Sequence, residues 1–352
     1  MEDLAWLVRE RLGEDAEVLE RRSDAIGRPA AAAGVLGGGL APEQVAAAVR
    51  HTRARIVHAH NLQPTLGWRA LAAARAAGAR VVLHLHQYRM VCAIGVCFRD
   101  GEECTRCHAR NTAPGVVLNC RGSRLESVTY GAGLSLWQRR LAAQADVVIV
   151  PSRFARDRLR LLGAPVDDPI VLPHVTRTVA AAPGGDPTGP ALVTARLAPE
   201  KGVAVAIEAC RIAGVLLIVA GDGPERGRLA RDAGAVTFVG HQDRAQLAQL
   251  RAGAGLVLVP SLSAETFGLA AAEAMAAGLP VAASRIGALP ELVPGDWLVA
   301  PGDPHALAAA ITRMRADPSA GARALAQVRT RTAPEVVAPA LAAVYARAQG
   351  RS

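Results

Sequence analysis

The sequence predicts an α/β protein built from two doubly wound domains. Three observations predict it: a length of 352 residues, a beat of short Val/Ile-rich runs alternating with helix-like stretches, and one Gly/Pro break near the middle. The length exceeds the usual single domain of roughly 100 to 200 residues. Hydrophobic residues form 51% of the chain and charged residues 20%, enough apolar material for two cores and too much for disorder over most of the length.

In the first half, helix-like stretches at Leu4–Leu12, Pro42–His51, Thr65–Ala77 and Leu134–Ala143 alternate with apolar runs. The runs are Arg55–His58, Arg80–His84, Asp146–Val150 and Ile170–Leu172. Such brevity and β-branched enrichment suit parallel strands buried on both faces, with crossover helices covering the sheet. This first domain is expected over 1–178. Residues 179–190 read VAAAPGGDPTGP, where Gly and Pro remove helix and strand preference together, so a linker is expected there. The second half repeats the beat at Ala191–Ala195, Val215–Gly221, Val236–Gly240, Gly255–Pro260 and Leu279–Ser284, giving a second domain over 191–330. Helices are expected at Pro304–Arg315 and Pro334–Ala348, with the segment 331–352 docking back on the first domain. Ligands of such folds gather outside the carboxyl ends of the strands.

Composition removes several function classes. The formal charge is +9, but the arginines are scattered, aromatics are 3%, and no nucleic-acid motif is present, so no nucleic acid is expected as a partner. The opening MEDLAWLVRERLGEDAE does not read as a secretory signal. The longest apolar candidate, around Gly202–Ala220, is interrupted by Glu208 and Arg211, so no membrane span is expected. Six cysteines in so long a chain make no disulfide scaffold, and a reducing, cytoplasmic setting follows.

Lys201 is the only lysine among 40 basic residues. It sits in ARLAPEKG just after a strand, five residues beyond Arg196, so one strand-to-helix loop can aim a guanidinium and an ammonium at one anion. A diphosphate fits that pair. Farther on, ETFGLAAAEAMAAGLPV places Glu265 just before a helix expected to begin near Phe267, and Glu273 inside it. That separation puts both carboxylates roughly on one side of the element and about 12 Å apart along its rise. They stand too far apart to share one reacting oxygen but suit hydroxyls at two parts of an extended ligand, with N–H groups near Thr266, Phe267 and Gly268 facing an anion. The turn GDGP, with Gly221 and Gly223, follows a strand and is either a nucleotide contact or a structural turn. Gly287 in RIGALPE approaches the ligand or joins two elements.

Together, Arg196, Lys201, Glu265, Glu273, ETFGLAAAEAMAAGLPV and GALPE resemble the retaining family 4 glycosyltransferases of the GT-B class, over most of Ala191–Val299. The resemblance implies two Rossmann-like domains facing a cleft. It also implies that Arg196 and Lys201 neutralise a nucleotide-sugar diphosphate, that Glu265 contacts donor-sugar hydroxyls, and that Glu273 holds the ribose. Leu269 follows in the same string, and Val239, Gly240 and His241 would border the base. The implied reaction is front-face transfer with retention, the departing phosphate accepting the incoming hydroxyl proton, with no metal cofactor needed for catalysis. Alternatives are a GT-B phosphorylase or epimerase, and an inactive nucleotide-sugar-binding protein.

IVHAHNLQP, VVLHLHQYRMVC and ADVVIVPSRFARDRL resemble the acceptor-side domain of the same family, in particular a bacterial subgroup with a cysteine-bearing insert, here 88–123. The resemblance gives the cleft role to His86; His58, His60 and His84 are read as support. The family usually opens with a further strand and Gly-rich loop, which this sequence is expected to lack; GVLGGGL at Gly34–Leu40 is read as following a strand-like segment. Cys104-x-x-Cys107 with Cys92 and Cys120 is a candidate structural zinc clamp, with Cys97 or His108 as substitute ligands. Reduced cysteines in a loop are the alternative. Arg99, Arg106, Arg110, Arg121 and Arg124 suit an anionic acceptor or a lipid surface. The acceptor class stays open among glycans, lipid-linked sugars and small molecules, with peripheral contact at the inner membrane surface.

Overall fold

The computed structural model describes residues 2–22, 25–177, 186–231 and 234–350. The chain forms two units. The first contains residues up to Cys97, Cys104–Pro173 and residues from Val337; the second contains Phe98–Glu103 and His174–Val336.

In chain order the first half runs α1 (Glu2–Leu7) into a π-helical turn, then α2 (Arg28–Gly37), α3 (Pro42–Thr52), β1 (Ile56–His60), α4 (Gly67–Ala76) and β2 (Arg80–His84). The cysteine-bearing segment adds a hairpin of β3 (Phe98–Arg99) and β4 (Glu102–Glu103), then α5 (Ala113–Val117) and α6 (Arg124–Ala143). β5 (Val147–Val150), α7 (Arg153–Leu161) and β6 (Ile170–Val171) follow. The four main strands are parallel in the order β1-β2-β5-β6. Val81, Val82 and Ile149 are fully buried, as expected of strands covered on both faces. Ser152 caps α7, its hydroxyl accepting from the Ala155 N–H at 3.0 Å.

Two readings of the first half need correction. Among the described residues the glycine run follows no strand: it supplies the last turn of α2 and then a tight corner, where a Cβ at Gly39, φ 125°, would stand 1.9 Å from the Leu66 carbonyl oxygen. Helix α6 begins at Arg124 instead of Leu134, because its glycines at 131 and 133 lie on the face packed closely against Val116 and Val35.

The second half runs β7 (Ala191–Thr194), α8 (Val203–Ala213), β8 (Leu217–Ala220), α9 (Arg226–Arg231), β9 (Val236–Gly240) and α10 (Arg244–Ala252). It continues with β10 (Leu256–Val259), α11 (Leu269–Ala276), β11 (Val281–Ser284), α12 (Leu289–Leu292) and β12 (Leu298–Val299). Three helices close it: α13 (Pro304–Arg315), α14 (Ala320–Thr332) and α15 (Pro334–Ala348), the last lying mostly in the first unit. All six strands are parallel, in the order β12-β11-β10-β7-β8-β9. Strand β12 and helix α14 add to the expected elements.

The second unit starts at His174 because Thr176 is tied to the end of α14: its N–H donates to the Thr332 carbonyl at 3.0 Å and the two hydroxyls meet at 2.6 Å. Of the expected linker, residues 179–185 lie outside the described residues. Among the described residues, no helix is long and apolar enough to cross a membrane.

Candidate functional site

In the second sheet the strand order reverses between β7 and β10, and both strands point the same way. Loops leaving their carboxyl ends therefore diverge to opposite faces and open a crevice, the usual ligand position in such sheets. Lys201 lies on the loop after β7, in the 3-10 turn Pro199–Lys201, and Glu265 lies on the loop after β10. The Lys201 ammonium donates to Glu265 Oε1 at 2.7 Å, and the Ser261 hydroxyl donates to the same oxygen at 2.7 Å. Neither side chain of this pair is fully buried, with 27% and 17% exposed.

Close backbone packing fixes the two loops. Gly202, φ 63°, lets the turn pass under strand β10, where a Cβ would meet the Pro260 carbonyl oxygen at 2.0 Å. The buried Glu200 carbonyl accepts from Leu262 N–H at 2.9 Å. Gly287, φ 61°, presses on Glu265 from the loop after β11: a Cβ there would stand 2.4 Å from the Glu265 nitrogen, and the Ala288 N–H donates to the Glu265 carbonyl at 2.9 Å. Gly221 and Gly223 are required by packing, since a Cβ would lie 1.9 Å from the Ala195 oxygen and 2.4 Å from the Leu197 oxygen. Gly221 also donates to the Gly240 carbonyl at 2.7 Å, which joins the loops after β8 and β9. Val239 accepts from the Gln242 side chain at 2.7 Å.

The other two charged candidates have separate partners. Arg196 pairs with Glu200, and Glu273 on α11 pairs with Arg251 at the end of α10. The expected helical relation between Glu265 and Glu273 does not hold, because α11 starts only at Leu269 after Gly268 at φ 93°. Glu265 thus stands on a loop that also carries Thr266 and Phe267. Phe267 is buried and meets the His174 ring edge-on at 4.9 Å.

In the first unit, His58, His60, His84 and His86 form one ladder. Residues two apart on a strand share a face, and the register places His60 beside His84 across β1 and β2. Ring centroids lie 4.6 Å apart for His58/His60, 4.1 Å for His84/His86 and 4.9 Å for His60/His86. His60 Nδ1 is 2.6 Å from His86 Nε2, and His58 Nε2 is 3.3 Å from His84 Nδ1. At the far end His58 Nδ1 meets the Tyr345 hydroxyl of α15 at 3.0 Å. Burial first, and then the charges of His60 and His86, hold the His58 pKa well below the ordinary histidine value, so this rung is neutral. Burial raises the Tyr345 phenol, which stays protonated.

Comparison with known proteins bears on the family and the fold. Residues 190–317 match the model for glycosyl transferases group 1, and residues 7–174 match the glycosyl transferase 4-like domain. The chain is related to the family 4 glycosyltransferases. Sucrose-phosphate synthase of Thermosynechococcus elongatus superposes with a TM-score of 0.66 at 21% identity, covering 96% of this chain and 87% of that one. Anabaena Alr3699/HepE in complex with UDP-glucose superposes at 0.59 and 19% identity, covering 86% and 81%. The fold is GT-B, with two Rossmann-like domains. The glycogen synthase of Mycobacterium tuberculosis is 39% identical over 182 residues, 46% of this chain and 44% of that protein. The GDP-mannose-dependent alpha-(1-6)-phosphatidylinositol dimannoside mannosyltransferase of the same species is 35% identical over 208 residues, 54% of each. The chain spans about half the length of the curated relatives it matches.

All six cysteines are free thiols. In the insert, Cys97 interacts electrostatically with Cys92 and Cys104, and Cys107 with Cys92 and Cys120. Cys97 donates to the Cys92 sulfur, and that hydrogen bond lowers the Cys92 pKa to about 6. Burial and the neighbouring charges of Cys92 and Cys120 raise Cys107. Among the described residues, the tight groupings of metal-capable atoms are made of histidines, His58, His60 and His84 among them, and not of these sulfurs. His108 is taken up in a bridge with Asn111.

Sequence reasoning missed Ser261, Arg251 and Tyr345, and it read His60 as support without its contact to His86. The paired H-x-H spacings in IVHAH and LHLH carried a signal for His60, since both place alternate residues on one sheet face. Arg251 stands 22 residues before Glu273 on another helix, and Tyr345 lies 287 residues from His58; no local pattern encodes such partners.

Proposed function

We propose that the protein moves a glycosyl group from a nucleoside diphosphate sugar to an acceptor hydroxyl with retention of anomeric configuration. The observation that supports this best is the Lys201–Glu265 pair, a cation and a carboxylate brought from the two loops that flank the reversal in strand order. Lys201, with Arg196 beside it on the same loop, neutralises the diphosphate and the charge that grows on it as the glycosidic bond breaks. Glu200 and Glu265 pair with these cations and keep them aimed, and the diphosphate competes for them on binding. Glu265 then turns its acceptor oxygens to the donor-sugar hydroxyls, and Glu273 to the ribose. The N–H groups of Thr266, Phe267 and Gly268 face the phosphates, with Leu269 opening the helix behind them. The loops carrying Gly221, Gly223, Val239 and Gly240 border the base.

His86 serves the transferred sugar or the acceptor, its orientation set by His60. The departing phosphate takes the proton of the incoming hydroxyl, and no catalytic metal is required because the cations and helix end supply the compensating charge. We place the reaction in the cytoplasm. Cys92, Cys104, Cys107 and Cys120 are further proposed to hold a structural zinc. The donor chemistry fits: thiolates are good zinc ligands, and a divalent cation would offset the burial and then the neighbouring charges of Cys92 and Cys120 that raise Cys107.

The test is mass-spectrometric screening of the purified protein with UDP-, GDP-, ADP- and TDP-sugars and cell extract. Nucleotide release coupled to an acceptor mass gain is expected. Release that depends on inorganic phosphate, or no release with any donor, would count against transfer.

A further inference from the structure

Helix α6 leaves an apolar stripe uncovered. Its inner face, including Gly131, Gly133 and Leu134, packs towards α2, α4 and α5, whereas Leu125, Val128 and Leu136 point outward with 76%, 51% and 50% of their surface exposed. At 100° per residue these three fall within about 80° of arc, along roughly 16 Å of helix. Val117, at the end of α5, which packs on α6, is 81% exposed.

The charge around the stripe is predominantly positive. Between Cys104 and Gln144 the chain carries six arginines and one carboxylate, Glu126, which is paired with Arg121 at 3.3 Å. Arg124 and Arg139 are exposed at the two ends of α6. Arg110 is exposed and held beside the helix, its Nε donating to the Ser135 carbonyl at 3.0 Å.

We propose that the α5–α6 face docks on an anionic lipid bilayer, with Val117, Leu125, Val128 and Leu136 entering the headgroup boundary and the arginines engaging lipid phosphates. Four isolated apolar side chains offer too little area for a stable protein interface, which needs about 800 Å² from each partner. They suffice for shallow insertion of a surface helix when positive charge adds to the attraction. This attachment lies on the surface, in keeping with the lack of any membrane-crossing helix among the described residues. It deepens the transferase reading by directing the protein to acceptors held at a membrane.

The test is vesicle flotation of the full chain without any sugar donor, comparing phosphatidylcholine vesicles with vesicles containing phosphatidylglycerol. Binding is expected to the anionic vesicles only and to fall at high salt. Leu125→Glu with Val128→Glu should weaken it at least ten-fold, and Arg124→Glu or Arg139→Glu about five-fold or more each. These variants should keep the wild-type melting temperature and affinity for nucleoside diphosphate, which separates lost docking from lost folding. Absence of vesicle binding, equal binding to neutral vesicles, or unaltered binding by the Leu125/Val128 variant would overturn the proposal. Failure of the transferase reading is seen separately, as no nucleotide release with any donor.

Discussion

Replacing Lys201 by alanine removes the only lysine in the chain and strands Glu265. Glu265 keeps one hydrogen bond, from the Ser261 hydroxyl at 2.7 Å, and loses the charge-assisted one from Lys201 at the same distance. A hydrogen bond to a charged group contributes roughly 1.5–3 kcal/mol, and with both side chains partly exposed the lower end applies to folding stability, a loss of about 1.5 kcal/mol. The effect on transfer should be larger. A cation aimed at charge developing on the leaving group is worth about 10²- to 10³-fold in rate, or roughly 2.7–4 kcal/mol. Steady-state release of nucleoside diphosphate reads the rate, calorimetric titration reads donor affinity, and a thermal melt reads stability. Glu265→Gln and the double variant complete a cycle, and the two single effects on stability should be less than additive because the residues share one contact. Wild-type turnover and affinity in the Lys201→Ala protein, with the melt unchanged, would refute the role assigned to this pair.

Gly287→Ala should be destabilising by about 2–4 kcal/mol, since it combines a left-handed backbone with a Cβ placed 2.4 Å from the Glu265 nitrogen; a melt and a donor titration should both report it. His58 is neutral in the fold with its pKa depressed, so its stabilising contribution is present above the unfolded histidine value near 6.5 and is lost as pH falls below it. The melting temperature should decline between pH 7.5 and 5.5, by at most about 1.4 kcal/mol of stability per pH unit from this group. His58→Asn, which keeps a partner for Tyr345, should flatten that slope; an unchanged slope would show that another group sets it. Elemental analysis of protein purified without chelators should find one zinc per chain, reduced by Cys104→Ser with Cys107→Ser. A zinc-free wild-type preparation would contradict the clamp.

Strand positions were legible because buried parallel strands must be short and β-branched, and every expected run from Ala191 to Ser284 contains a strand of the second sheet. Helix α14 was not read, although AGARALAQVRTRT is as amphipathic as the α13 segment that was. Strand β12 is two residues long and is held by its neighbour β11 instead of by its own preference. At the site, the loops bearing Lys201 and Glu265 could be read from their position after strands. Their meeting could not, because the two residues stand 64 apart in sequence and it depends on β7 and β10 being neighbours. The Glu265/Glu273 spacing misled because Gly268 delays the helix, and a glycine in that string is compatible with either start. The histidine ladder was half visible: the spacing gave the faces, while only the register of β1 on β2 brings the four rings together.

A crystal structure of the protein with a bound nucleoside diphosphate tests the central claim most directly. The diphosphate should lie at the carboxyl ends of β7 and β10, with the Lys201 ammonium transferred from Glu265 to a phosphate oxygen. A nucleotide bound elsewhere on the chain, with the Lys201–Glu265 contact intact, would contradict it.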